Sequence, residues 1–189
     1  MHNKVIRNLF IIIFFVVIIA LVLFLIQTKD KKHGDSSLLE VKSTHNDEII
    51  ISDSFPMSDD MGKKIDNDSS NSKVQGYYEF EIKSNNKVGT NFEIIASDLD
   101  FNNDIHPNYI KMYLTDEMEN PLAGYDELAI PTFYKLKVSS IVPTGRRVYY
   151  GYIKPGEVKK YKLRVWVGDA YSVGVNTKNF GMKISVEAD

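Results

Sequence analysis

Eighteen consecutive residues, from Leu9 to Ile26 (LFIIIFFVVIIALVLFLI), are apolar and include no charge, no Pro and no Gly. As a helix rising about 1.5 Å per residue, the run is roughly 27 Å long, close to the hydrocarbon thickness of a bilayer, and a helix satisfies its own backbone in lipid. The sequence therefore predicts one transmembrane helix over 9–27, contacting the lipid bilayer through Leu9 to Ile26, after a short tail, 1–8, that carries Lys4 and Arg7. A cleaved signal peptide fits less well. Gln27-Thr28-Lys29-Asp30-Lys31-Lys32 offers no pair of small residues at the spacing a signal peptidase reads, and Ala20 lies too deep in the run. A buried helix of a soluble core fits least, because both flanks are charged. Lys4 and Arg7 against Lys29, Lys31 and Lys32 do not set the orientation. A short tail, one span and a long polar domain do set it, as a single-pass membrane protein with its N-terminus cytoplasmic and its C-terminal domain extracellular.

From 28 to 73 the chain turns to Asp, Ser, Asn and Lys and reads as a polar, flexible linker that cannot form a core. One stretch interrupts it. Glu48-Ile49-Ile50-Ile51-Ser52 is a β-branched run, either a short strand packed on the following domain or a segment that completes the sheet edge of a neighbouring copy.

Residues 74–189 alternate apolar and polar with period two, which sends one face of each strand inward and leaves the other wet. Tyr78, Phe80 and Ile82 alternate with Glu79, Glu81 and Lys83, and Phe92 and Ile94 follow an Asn85-Asn86-Lys87 turn. Ile110, Met112 and Leu114 form a further set, and 133–142 and 147–153 each read as a strand. Lys154-Pro155-Gly156-Glu157 predicts a hairpin through a type II turn, with Pro presetting φ at the second position and Gly accepting φ > 0 at the third. After it, Tyr161, Leu163, Val165 and Val167 face one way and Lys160, Lys162, Arg164 and Trp166 the other. Phe180, Met182, Ile184 and Val186 make the last strand. About seven or eight short strands without a helical period predict an all-β domain, an antiparallel sandwich of the immunoglobulin-like or jelly-roll-like kind.

A net charge of −2 over 189 residues gives no bulk affinity for nucleic acid, and no nucleic-acid partner is expected. The absence of cysteine excludes a disulfide framework, a thiolate zinc site and a Cys nucleophile. Asp98, Asp100, Asn102 and Asp104 stand at alternate positions, as oxygen ligands of a calcium loop do. The sixth place is Asn103 rather than Gly and the twelfth Tyr109 rather than Glu, so Asx turns explain the same residues and no cofactor is expected. Arg146 and Arg147, placed across the predicted hairpin from Lys160, Lys162 and Arg164, outline a basic stripe for a polyanion such as a cell-wall polymer, with Trp166 as a stacking platform. The plainer reading is a solvated strand face whose lysines discourage edge pairing. His2, His33, His45 and His106 are scattered, and no HExxH, GxSxG or phosphate-binding glycine loop occurs. Adjacent acids such as Asp116-Glu117 and Asp126-Glu127 would point to opposite faces of a strand. The expectation is a non-enzymatic domain.

The stretches GYYEFEIKSNN, YIKMYLTD, GYIKPGEVKKYKLRVWVGD and NFGMKISVEA resemble the pattern of small surface β-sandwich proteins of low-GC Gram-positive bacteria, the group that includes TasA and camelysin-like proteins. The resemblance implies an exported sandwich at the envelope, in some relatives assembled into fibres by strand exchange. An anchor without a cleavage site departs from that pattern, and the protease activity described for camelysin-like proteins finds no zinc ligand set here. The expected function is thus a membrane-anchored cell-surface module that binds wall polymer or associates with its own copies. The alternatives are a surface hydrolase or metal-dependent enzyme whose residues, among Asp98, Asp100, Asp104, His106, Asp116 and Glu119, meet only in three dimensions, and an accessory domain facing the cytoplasm.

Overall fold

The computed structural model describes residues 38–43, 47–52, 55–66, 76–99, 103–126, 129–172 and 178–189. The chain divides into two compact units, Met1–Asp35 and Ser36–Asp189. The apolar run of 9–26 lies outside the described residues, and no helix among those described is long and apolar enough to cross a membrane.

Alternation in the sequence becomes an antiparallel β-sandwich. Its strands are β1 (Leu39–Ser43), β2 (Glu48–Ser52), β3 (Gly76–Ser84), β4 (Thr90–Asp98), β5 (Ile110–Asp116), β6 (Lys137–Val138), β7 (Gly145–Ile153), β8 (Val158–Val167) and β9 (Asn179–Ala188), with a single helical turn, α1 (Asp59–Gly62), between β2 and β3. One sheet has the order β1-β3-β8-β5 and the other β2-β9-β4-β7-β6. β3 follows the expected alternation residue by residue, with Tyr78, Phe80 and Ile82 buried and Glu79, Glu81 and Lys83 on the wet side. Between the sheets these side chains meet Phe92, Leu163 and Phe180, all fully buried. Such a core, about 10 Å thick, is where apolar burial at roughly 25 cal/mol per Å² opposes chain entropy.

Three expectations are corrected. First, β1, β2 and α1 lie within 28–73, the stretch read as linker, and belong to the unit that starts at Ser36. Leu39, Ile49 and Ile51 are buried, which is enough apolar anchoring to pair β1 with β3 and β2 with β9 despite polar surroundings. Second, the turn at Lys154 to Glu157 forms as expected, with Gly156 at φ +68° and Glu157 N–H donating to Lys154 O at 3.1 Å. It does not make a hairpin, because β7 lies in one sheet and β8 in the other, so the turn arches across the core. Third, 133–142 is not one strand. It is a 3₁₀ turn (Phe133–Lys135), the two-residue β6, and a loop that leaves the sheet at Ser139, whose Oγ accepts from Ile141 N–H (3.1 Å) and Val142 N–H (3.0 Å).

The first sheet also carries a strap on its outer face. Residues 55–66 cross the first sheet, where a Cβ on Gly62 would stand 2.1 Å from the Trp166 ring. Only glycine lets α1 sit that close. On the second sheet the strand register shifts between Ile94 and Ile95. Ile95 is buried outside the central cluster, its γ-methyl 2.4 Å from where a Cβ on Gly145 would be.

Candidate functional site

The six residues of the expected basic stripe are not brought together. Lys160, Lys162, Arg164 and Trp166 are on β8, and Arg146 and Arg147 are on β7 in the opposite sheet. Arching at Lys154 to Glu157, in place of a hairpin, separates them.

On the first sheet, strand register sets acids beside bases. Lys42 stands opposite Glu81 and Glu81 opposite Lys160, while Glu79 stands opposite Lys162. Beyond β5 the turn 116–120 adds two more acids. Glu117 Oε1 accepts from Lys160 Nζ at 2.8 Å, and the Glu119 carboxylate pairs with both Lys162 and Arg164. Asp116 Oδ1 shapes that turn by accepting from the N–H groups of Met118 and Asn120, each at 2.9 Å, and Glu119 takes a left-handed φ of 67°. The Asn120 amide is the chief cause that holds the Asp116 carboxyl below the usual range. Burial pushes the Glu119 carboxyl up, but Lys162 and Arg164 outweigh it and hold it low. This face is therefore a ladder of compensated charge rather than a cationic surface. Exposed pairs of this kind contribute little. Lys160→Gln is expected to leave the urea midpoint of the full chain unchanged within error, and a clear loss would mean that the ladder is structural.

Arg164 is 4% exposed and acts as a latch for the strap. Its Nε donates to Ile65 O at 2.7 Å and its Nη1 to Thr115 Oγ1 at 3.2 Å, and its guanidinium lies 5.6 Å from the Tyr77 ring centre. Burial, aided by Glu79, pushes the Tyr77 hydroxyl up to about 12. Trp166 beneath the strap is 0% exposed, so it is a core residue and not a stacking platform.

On the second sheet Arg147 Nη1 donates to Glu93 Oε1 at 3.0 Å. Glu93 is fully buried and was not singled out in the sequence. Its oxygens accept from Ser139 Oγ (2.5 Å), Ser140 Oγ (2.6 Å) and Ser140 N–H (3.2 Å). Burial alone would raise the Glu93 carboxyl, but the two serines and Arg147 together hold it below its ordinary value. Lone acid among apolar neighbours, as in Phe92-Glu93-Ile94-Ile95, is the one sequence signal that could have flagged it. Arg146 donates to Leu136 O at 3.3 Å and covers the Tyr134 ring.

Of the four oxygen-bearing residues read as a calcium loop, Asp100 and Asn102 lie outside the described residues. Burial raises the Asp98 carboxyl, with Arg146 acting against it, and Asp104 is exposed. Asn103 instead clasps β9, accepting from Gly181 N–H at 2.8 Å. His106 Nδ1 accepts from Asn108 N–H at 3.2 Å and so caps a 3₁₀ turn. Among the described residues no three His, Cys, Asp or Glu side chains are grouped to hold a metal.

The four sheet edges differ. Along β5, Met112 N–H donates to Pro131 O (3.1 Å) and Leu122 N–H to Leu114 O (3.1 Å), so a proline-bearing loop covers that edge, and β6 is only two residues long. Both are common protections against edge pairing. The other two edges, β1 and β2, are five-residue strands supplied by one N-terminal arm. Comparison with protein-family models and with curated proteins finds no match for this sequence.

Proposed function

We propose that this chain is a membrane-anchored, non-enzymatic β-sandwich displayed at the outer face of the cell membrane, where it assembles with its own copies through its N-terminal arm. The observation that carries this reading is that one short segment supplies an edge strand to each sheet. β1 runs antiparallel to β3 with Val41 opposite Ile82, and β2 runs antiparallel to β9 with Ile50 opposite Gly181. Main-chain ladders and three buried side chains, Leu39, Ile49 and Ile51, hold the arm. An edge strand held in this way can be given up to the same position on another copy, because the ladder it leaves is the ladder it joins. The likeness to TasA and camelysin-like sandwiches supports the same reading. The apolar run of 9–26 would provide the anchor.

The chain has no cysteine, which makes the test direct. Lys42 and Glu81 are opposite each other on the wet face of β1 and β3, a spacing that an antiparallel pair can bridge with a disulfide. In cells expressing two differently tagged copies of Lys42→Cys/Glu81→Cys, oxidation is expected to give dimers carrying both tags. Cross-links confined within single chains would refute assembly by arm exchange.

A further inference from the structure

The end of the sandwich at which the chain arrives from its N-terminal side differs from the rest of the surface. Asn85 N–H donates to Leu38 O at 2.9 Å, so the first described residue packs on the β3–β4 turn. Thr90 pairs with Ile153, which sets the β7–β8 turn at the same end. Lys87 and Lys154 stand on these two turns, with Lys83 at the end of β3 and Lys159 at the start of β8, where its Nζ donates to Tyr152 O at 2.8 Å. Acids stand near them: Asp189, whose N–H donates to Asn91 O at 2.9 Å and whose carboxylate accepts from the Tyr150 hydroxyl at 3.1 Å, and Glu157 and Glu40, which are engaged by lysine. Glu157 accepts from Lys154 N–H at 2.7 Å and lies 3.9 Å from Lys159, and Glu40 lies 3.3 Å from Lys42. Lys83, Lys87 and Lys154 have no carboxylate partner among the described residues. Exposed apolar surface accompanies them, with Val88 64% exposed at the turn tip, Tyr152 51% and Val158 44%. The far end carries Asp98, Asp104 and Asp169 together with Arg146 and Lys178.

We propose that this end is a docking face for an anionic lipid surface. Lysines on long stems meet lipid phosphates while an aromatic ring and short aliphatic tips enter the headgroup layer, the division of labour seen wherever proteins rest on membranes. Charge complementarity argues for lipid, and so does position. Leu38 follows the apolar run by only twelve residues, and Lys29, Lys31 and Lys32 lie between. The proposal rests on the anchor reading only for how the lipid surface comes within reach.

The test uses the full chain with a fluorophore on Val88→Cys, and a control label on Asp169→Cys at the opposite end. Each is mixed with vesicles of phosphatidylcholine, alone or with phosphatidylglycerol, carrying a headgroup quencher. Quenching of the Val88 label is expected with phosphatidylglycerol and not at Asp169. Raising salt to about 1 M, where the screening length is about 3 Å, should release it. Lys87→Gln/Lys154→Gln, at two exposed positions, should weaken docking about 25-fold, or about fivefold per lysine. A Val88 label that stays bright, equal quenching at both ends, or an unaltered double variant would overturn the proposal. Flotation separates the two readings. Flotation with neutral vesicles supports the anchor whatever the label reports. Flotation with anionic vesicles alone supports docking and removes the anchor, and flotation with neither removes both.

Discussion

Replacing Glu93 with alanine is expected to lower the unfolding free energy by about 3 kcal/mol, the lower part of the range for breaking a buried ion pair. The lower part applies because Arg147 keeps 26% side-chain exposure and can regain water, whereas Glu93 has none. Ser139 and Ser140 lose their shared acceptor, so the loop they belong to loosens at the same time. For a chain of this length that loss corresponds to a melting temperature lower by about 6–12 °C. Glu93→Gln retains the volume and part of the hydrogen bonding and should fall between the two. The difference from wild type should also depend on pH. The native carboxyl titrates below its ordinary value of 4.5, so its contribution is complete above that value and is lost as pH falls through the native one. Urea titrations of the full chain at neutral and acid pH check both statements. A pH-independent gap between wild type and Glu93→Gln would show that the carboxyl does not bind its serines and arginine as an anion.

The second large effect lies in the arm. Ile51 is 0% exposed and Ile50 40%, although the two are neighbours in an unbroken isoleucine run. Ile51→Ala should cost about 2–5 kcal/mol of local stability, whereas a truncation at the half-exposed Ile50 should cost under about 1 kcal/mol. Among the described residues β2 pairs only with β9, so the loss should appear as faster amide exchange over 48–52 and 179–183 and leave the centre of β8 protected. If the arm exchanges between copies, the same substitution should raise the yield of mixed dimers from Lys42→Cys/Glu81→Cys. Equal exchange rates in the Ile50 and Ile51 variants would contradict the register of β2 on β9.

The sequence was enough to place most strands and to orient their faces, because a period of two is a property of the extended backbone and needs no partner. Tyr78, Phe80 and Ile82 point inward, Gly156 takes φ > 0, and the isoleucine run forms a strand, all as local chemistry requires. Which strands share a sheet is not local. A Pro-Gly turn serves a hairpin and an arch equally well, and only the burial of Tyr161, Leu163 and Val165 opposite a second sheet sends β8 away from β7. That choice divided the expected basic stripe between two sheets. Trp166 has the parity of a wet residue and is buried because a strap distant in sequence covers it. Glu93 is buried for the complementary reason, since two serines and an arginine from elsewhere supply in the fold the solvation it gives up. Patterns along a chain record which side of a strand prefers oil. Which partners supply that oil, or neutralise a charge within it, depends on contacts between distant segments, and those exist only once the chain has closed on itself.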